Sequence, residues 1–252
     1  MIAPYYADEH VALYLGDFRE ILPELGLVAD LVVADPPYGE TSLVWDRWPD
    51  AWPEMLAAHA RSMWCFGSMR MFLDRGHEFA AGGWRMSQDV VWEKHNGSGS
   101  ASDRFKRVNE HAVHWYRGDW ASIHASVPTT PDATPRQVRR KARPAHWGDI
   151  GEHAYRSEDG GPRLMRSVIY ARSEHGRAIN ETQKPTGIVE PLIEYGCPPG
   201  GLVVDPFGGS CSTLVAARAL GRRGVAVELR EEQCQRAALR LAHAPLPIAG
   251  AQ

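Results

Sequence analysis

Short apolar runs alternate with stretches of helical periodicity along most of this chain. Val11-Ala12-Leu13-Tyr14-Leu15 reads as a strand ending at Gly16-Asp17, after which Phe18, Ile21, Leu22 and Leu25 recur at helical spacing up to Gly26. Leu31-Val32-Val33-Ala34 is a second strand, running into Asp35-Pro36-Pro37-Tyr38-Gly39. The pattern next predicts a helix over 48–61, a buried strand at Met63-Trp64-Cys65-Phe66 and a helix from Met69 to Ala80. Strands follow at 89–92 and 111–116. Between Gly118 and Pro162 the periodicity fails and Pro, Thr, Ser, Gly and Arg dominate, which predicts loops. Order returns at Pro185, suited to the first turn of a helix carrying Ile188, Val189, Leu192 and Ile193, with a kink expected at Pro191. Leu202-Val203-Val204 is a strand, followed by a helix to Leu220 capped by Gly221 and a short strand, Val225-Ala226-Val227, closing on Glu228. A final amphipathic helix carries Cys234, Ala237, Ala238 and Leu241 on one face, and the tail after His243 is expected to fray.

Strand and helix in alternation imply an α/β fold on a mostly parallel sheet. A chain of 252 residues buries a full core, and we read it as one domain, 1–252, with 118–162 inserted in it. The 44% hydrophobic and 23% charged content are globular values. No apolar run reaches about 18 residues, and the N-terminus lacks a basic stretch followed by an apolar one, so no membrane association and a cytoplasmic location are expected. Cys65, Cys197, Cys211 and Cys234 lack the spacing of a metal site or a disulfide framework, and no metal is expected.

A net charge of −3 argues against indiscriminate coating of nucleic acid, but charge is not evenly spread. Arg136, Arg139, Arg140, Lys141 and Arg143 crowd into eight positions of the insert, as a solvated segment or as a set of phosphate contacts.

Two segments carry candidate chemistry. Asp35-Pro36-Pro37-Tyr38 places a carboxylate, a rigid turn and an aromatic ring at a strand end, which suits an amino group on a flat base; alone it is equally an ordinary turn. Downstream, Asp205-Pro206-Phe207-Gly208-Gly209-Ser210 follows a strand and opens a helix, with Glu228 about 20 residues further at the next strand end, a nucleotide-binding βαβ pattern.

Together these segments resemble the amino-methyltransferases of DNA, the N6-adenine/N4-cytosine family. The order, with Asp35-Pro36-Pro37-Tyr38 ahead of the glycine-rich loop and the recognition region between, is similar to the circularly permuted β class. The resemblance implies a Rossmann-like fold dependent on S-adenosylmethionine, with a twisted, mostly parallel sheet, one antiparallel edge strand and helices on both faces. It implies catalytic roles for Asp35, Pro36, Pro37 and Tyr38, the carboxylate and the Pro36 carbonyl receiving the N–H groups of a flipped base stacked on Tyr38. It assigns donor contacts to Asp17, Lys184, Asp205, Phe207, Gly208, Gly209, Ser210, Ser212, Thr213 and Glu228, although Asp17 also reads as a helix N-cap and Lys184 as a surface cation.

Trp92-Glu93-Lys94 and Glu110-His111 resemble the segments that build the back of the target pocket. The five clustered cations of the insert become DNA contacts. Double-stranded DNA is the implied partner, and a homodimer and a cognate restriction endonuclease belong to the same resemblance. Asp at the head of the first motif resembles the adenine-N6 enzymes; cytosine-N4 methylation and a catalytically silent DNA-binding relative stay open. One departure stands out. Cys211 occupies a position where relatives have glycine, and a positive φ there would cost about 1 kcal/mol and shift the loop or weaken donor binding.

Overall fold

The computed structural model describes residues 2–98, 102–140, 153–174, 178–179 and 182–244. In chain order the first elements are β1 (Tyr6–Ala7), β2 (Val11–Leu15), α1 (Phe18–Leu25), β3 (Leu31–Ala34), α2 (Trp52–Leu56), β4 (Ser62–Gly67) and α3 (Met69–Ala81). Then come the long strands β5 (Arg85–Ser98) and β6 (Arg107–Tyr116), followed by β7 (Thr129–Thr130), β8 (Arg136–Arg140), β9 (His153–Ser157), β10 (Arg163–Leu164) and β11 (Val168–Tyr170). The chain closes with α4 (Thr186–Gly196), β12 (Leu202–Asp205), α5 (Ser212–Ala219), β13 (Arg223–Glu228) and α6 (Glu231–His243).

Two compact units emerge, Val127–Arg166 and the rest. The larger is built on a nine-stranded sheet in the order β1-β2-β13-β12-β3-β4-β6-β5-β11. Strands β2, β13, β12, β3 and β4 pair in parallel, and so do β5 and β11. Two strands run against the others: β1 at one edge, and β6, which lies inside the sheet between β4 and β5 rather than at its rim.

Alternation along β3 and β4 explains the layers. Val32, Ala34, Met63 and Cys65 face a cluster with Ile21, Leu22, Trp52, Leu56 and Phe79 of α1, α2 and α3. Leu31, Val33, Trp64 and Phe66 face Ile188, Leu192, Ala216 and Ala217 of α4 and α5. These strands are apolar on both faces because helices cover both, the condition that makes a parallel strand read as an unbroken apolar run.

Most sequence boundaries hold within a residue or two. Gly26 takes a left-handed conformation, φ 59°, at the end of α1, and Gly221 does the same, φ 68°, just past α5. Helix α4 continues through Pro191. The helix expected over 48–61 is only Trp52–Leu56, because 41–50 is instead a loop organised by Asp46. The expected strands at 89–92 and 111–116 are parts of a longer antiparallel ribbon made by β5 and β6.

The smaller unit corrects the expectation of loops in the insert: β7 pairs with β10, and β8 with β9, each as a two-stranded antiparallel sheet. Cross-strand backbone hydrogen bonds hold these ribbons, and their mixed polar sequence carries no alternation that could announce them. The fraying expected after His243 falls almost wholly outside the described residues. No described helix is long and apolar enough to cross a membrane.

His114 on β6 is fully buried beneath Trp64 and Tyr195, with Ser62 Oγ 3.0 Å from Nε2 and Ser87 Oγ 2.6 Å from Nδ1. Burial pushes its pKa down to about 4. The unfolded chain takes up this proton below about pH 6.5 while the folded chain refuses it until about pH 4, so stability is lost as pH falls through that window. At about 1.36 kcal/mol per pH unit the loss is roughly 3 kcal/mol. Urea midpoints measured from pH 7 to pH 4 should fall more steeply for the natural protein than for His114→Gln; parallel curves would refute the assignment.

Candidate functional site

Parallel strands deliver their C-terminal ends to one edge of the sheet, and this chain places its candidate residues there. Asp17 follows β2, Asp35 follows β3, Asp205 ends β12 and Glu228 ends β13. Neighbouring β12 and β3 connect onward in opposite directions across the sheet, which opens a crevice at their ends. A cavity of about 730 Å³ occupies it, lined by the 35–38 segment, by 16–18, by 205–210 and by Glu228 together. Such a volume holds a ligand of drug size or larger.

At the inner end, four ionisable side chains and a phenol interlock. Lys184 Nζ donates to Asp35 Oδ2 at 2.6 Å and lies 3.0 Å from Glu110 Oε1. Lys94 Nζ donates to Glu110 Oε2 at 2.6 Å. The Tyr38 hydroxyl lies 2.9 Å from Asp35 Oδ1 and 2.8 Å from Glu110 Oε1. Two carboxylates and two ammonium groups balance in charge, which is how a protein keeps ions away from water at tolerable cost.

Their surroundings separate the two acids. Burial raises Asp35 above the ordinary carboxylate range, partly offset by Lys184 and reinforced by the Glu110 charge. Burial acts the same way on Glu110, but Lys184 and Lys94 outweigh it and hold its pKa at about 2. Lys184 loses by burial and gains more from Asp35 and Glu110, so it stays charged well past its usual range. Tyr38 is raised well above its ordinary value by burial and by both carboxylates, so its hydroxyl keeps its proton.

Glu228 faces the other end of the cavity. Its Oε2 accepts from Gly209 N–H at 2.9 Å, and its Oε1 accepts from Arg230 N–H at 3.0 Å and Arg230 Nε at 3.1 Å. A carboxylate has about four lone-pair sites, so Glu228 keeps one, on Oε2, for a hydroxyl donor from a ligand. Arg230 also lies over the Trp45 ring at 5.2 Å, forming an outer wall. Asp17 N-caps α1 by accepting from Arg19 N–H at 2.9 Å and pairs with the Arg19 guanidinium, while still lining the cavity.

Asp205 holds the glycine-rich loop from beneath, accepting from Phe207 N–H at 3.0 Å. Burial pushes its pKa up to about 7 against hydrogen bonds from Thr213 and Phe207. Ser212 Oγ donates to the Lys184 carbonyl at 2.5 Å, which ties the loop to the segment carrying the lysine. A side chain at Gly208 would be tight: a Cβ would stand 3.2 Å from both Ala226 Cβ and the Val227 carbonyl.

Cys211 has φ 57° and precedes α5, so the left-handed backbone anticipated there is present. Its side chain is fully buried among Val11, Leu13, Leu214 and Cys234, and this packing offsets a backbone cost of about 1–2 kcal/mol.

The structure thus brings Asp17, Asp35, Pro36, Pro37, Tyr38, Lys184, Asp205, Phe207, Gly208, Gly209, Ser210, Ser212, Thr213 and Glu228 to one cavity. Of the five clustered cations, Arg136 begins β8 and is exposed. For Arg139 and Arg140 only the strand backbone is described, and Lys141 and Arg143 lie outside the described residues.

Sequence reasoning missed Asp46. Its buried carboxylate accepts from Gly39 N–H at 2.8 Å and from Thr41 N–H and Oγ at 2.7 Å, fixing the loop just after Tyr38. The one signal for it was a carboxylate a few residues after a turn, too common to single out. It also missed the Trp45 wall, which depends on a contact with a residue far along the chain.

Comparison with known proteins agrees with this geometry. The DNA methylase family model matches residues 29–239. The type II methyltransferase M.ScaI of Streptomyces caespitosus is 26% identical over 255 residues, covering 91% of this chain and 80% of that protein. M2.DpnII of Streptococcus pneumoniae, also a type II methyltransferase, is 23% identical over 274 residues, covering 96% of this chain and 93% of that protein. Among solved structures, the M1.HpyAVI–SAM complex superposes with a TM-score of 0.65 at 20% identity, covering 92% of this chain and 98% of that one. The cytosine-N4-specific PvuII DNA methyltransferase gives 0.64 at 15% identity, covering 95% and 89%. These likenesses establish a methyltransferase-type Rossmann-like fold, and the match over most of the length establishes kinship: the chain belongs to the DNA methylase family.

Proposed function

We propose that this protein transfers a methyl group from S-adenosylmethionine to the exocyclic N6 of adenine in double-stranded DNA. One observation carries the reading: a single cavity joins Asp35, with its proline turn and Tyr38, to the glycine-rich loop and Glu228.

The residues fit the donor. Glu228 has a spare acceptor site for a ribose hydroxyl, Phe207 offers a ring to pack beside it, and Gly208 and Gly209 let the backbone come close to an extended ligand. The donor-site residues are Asp17, Phe207, Gly208, Gly209, Ser210 and Glu228, with Asp205, Ser212 and Thr213 supporting the loop; Lys184, expected as a donor contact, is instead engaged with Asp35 and Glu110. When bound, S-adenosylmethionine supplies an electrophilic methyl on a sulfonium.

The chain's own part is orientation. An adenine amine is a weak nucleophile because its lone pair is delocalised into the ring. Asp35 and the Pro36 carbonyl accept its two N–H groups, drawing the nitrogen towards tetrahedral geometry and exposing its lone pair for in-line displacement, in which the donor's sulfur leaves as a neutral thioether and the amine's surplus proton passes by way of Asp35 to solvent. The base leaves the duplex to reach them, at a cost of a few kcal/mol offset by stacking on Tyr38 and by hydrogen bonds to its edge. Arg136, Arg139, Arg140, Lys141 and Arg143 supply phosphate contacts from the insert.

Incubation with methyl-labelled S-adenosylmethionine and unmethylated bacterial genomic DNA, followed by digestion to nucleosides, tests the reading. Label in N6-methyladenine is expected. Label only in N4-methylcytosine would overturn the choice of base, and absence of label in any nucleoside would overturn the transfer itself.

A further inference from the structure

Two carboxylates bracket one phenol. The Tyr38 hydroxyl is within hydrogen-bond distance of Asp35 Oδ1 and Glu110 Oε1, at 2.9 and 2.8 Å, and has one proton to give. Lys184 already occupies the other Asp35 oxygen, Oδ2, at 2.6 Å. With the hydroxyl turned to Asp35, both oxygens of that carboxylate carry a donor, and an incoming amine has to share Oδ1 with the phenol. With the hydroxyl turned to Glu110, Oδ1 is free.

Glu110 is held ready as that second acceptor. Its side chain is 12% exposed and fastened by Lys94 at 2.6 Å and Lys184 at 3.0 Å. It projects from β6 at the position opposite Trp92 of β5, so the antiparallel ribbon fixes its reach. Without it, a buried hydroxyl that released Asp35 would have no acceptor, an outcome proteins avoid.

We propose that Glu110 is a positioning residue of the transfer site: it receives the Tyr38 hydroxyl as the target amine binds Asp35, so that Tyr38 changes acceptor instead of losing one. The hydroxyl only rotates about its C–O bond; no proton changes owner. This inference rests on the transfer reading above.

A double-mutant cycle tests it. In Glu110→Gln the amide oxygen turns to Lys94 while Lys184 keeps Asp35, so the amide NH2 faces Tyr38 and offers it no acceptor, and kcat should fall about 100-fold, the scale of a misplaced reacting group. Affinity for S-adenosylhomocysteine, measured by calorimetry, should stay the same. Adding Tyr38→Phe removes the hydroxyl that competes for Asp35 Oδ1, and the double variant should recover about tenfold in kcat over Glu110→Gln, as expected when two coupled residues act on one group. Glu110→Asp keeps the charge but withdraws the carboxylate by one methylene, and should behave as Glu110→Gln does should that protein fold poorly. A double variant no faster than its Glu110 parent, or a Glu110 variant with natural kcat, overturns the proposal while natural-protein labelling of adenine leaves the transfer reading intact. A natural protein that labels no base removes both.

Discussion

Asp35→Ala is expected to lower turnover by about 10²–10⁴-fold, the range for a positioned group that handles a reacting proton, while leaving donor affinity close to natural. The two effects separate because different elements build the two ends of the cavity. Asp35 is held by Lys184 and Tyr38 at the end of β3, whereas Glu228 and Gly209 hold each other at the ends of β13 and β12. Loss of the carboxylate removes the acceptor for the target amine and leaves Lys184 with Glu110 alone, so the lysine keeps a partner and the fold survives. Single-turnover label transfer paired with calorimetric titration of S-adenosylhomocysteine reads both quantities. An Asp35→Ala protein that turns over normally would take away the role proposed for this residue; one that loses donor binding as well would show that the two ends are not independent.

The second large effect is on stability. Arg218 of α5 is 1% exposed and its guanidinium fastens three parts of the chain: Asp8 Oδ2 at 2.6 Å, the Leu241 carbonyl at 2.8 Å and the Ala244 carbonyl at 3.1 Å. It ties the turn between β1 and β2 to the end of α6. Asp8 in turn accepts from the backbone N–H groups of His10 and Val11, which shape that turn. Arg218→Ala leaves two carbonyls and a carboxylate without their donor in a largely closed environment, and destabilisation of about 3–5 kcal/mol is expected. For a chain of this size that is a fall in melting temperature of roughly 6–20 °C. Asp8→Ala should cost less, because its side chain is 21% exposed and water replaces part of what it loses. Calorimetric melting of both variants is the measurement, and an Arg218→Ala protein that melts with the natural one would show that this cluster contributes nothing net.

Arg218 carries no signal of its role in the linear sequence. Arg218 sits in a helix whose pattern allows it to be read as a surface cation, since arginine is rarely buried without a partner. Its partners lie 210, 23 and 26 positions away. Asp35 was legible because its neighbours in sequence, two prolines and a tyrosine, are also its neighbours in space. Lys184 and Glu110 were noticed only through resemblance, and neither could be placed against Asp35 from spacing. Lys184 lies 149 positions from Asp35, and Glu110 lies 72 from Tyr38, so only the assembled sheet brings their ends together. The ribbons of the 127–166 unit were invisible for a different reason: two-stranded sheets with little to bury impose no alternation on their sequence.

By itself the sequence determined most strands and helices of the larger unit, since apolar runs and helical spacing follow from the need to bury one or both faces of each element. It also determined the chemical inventory: a carboxylate before a rigid proline turn, a glycine-rich loop opening a helix, and an acid at the next strand end. Tertiary structure alone decided how that inventory is wired. Strand order puts β3 beside β12, and parallel pairing sends both C-terminal ends to one edge, so the two motifs share one cavity. The charge state of each acid was decided there too. Asp35 and Glu110 have similar intrinsic acidity, and one is raised while the other is held at about 2 because Glu110 has two ammonium neighbours and Asp35 has one. That difference comes from the number of opposite charges brought within a few ångströms in a dry site, a quantity fixed by distances across the fold and absent from any linear spacing of residues.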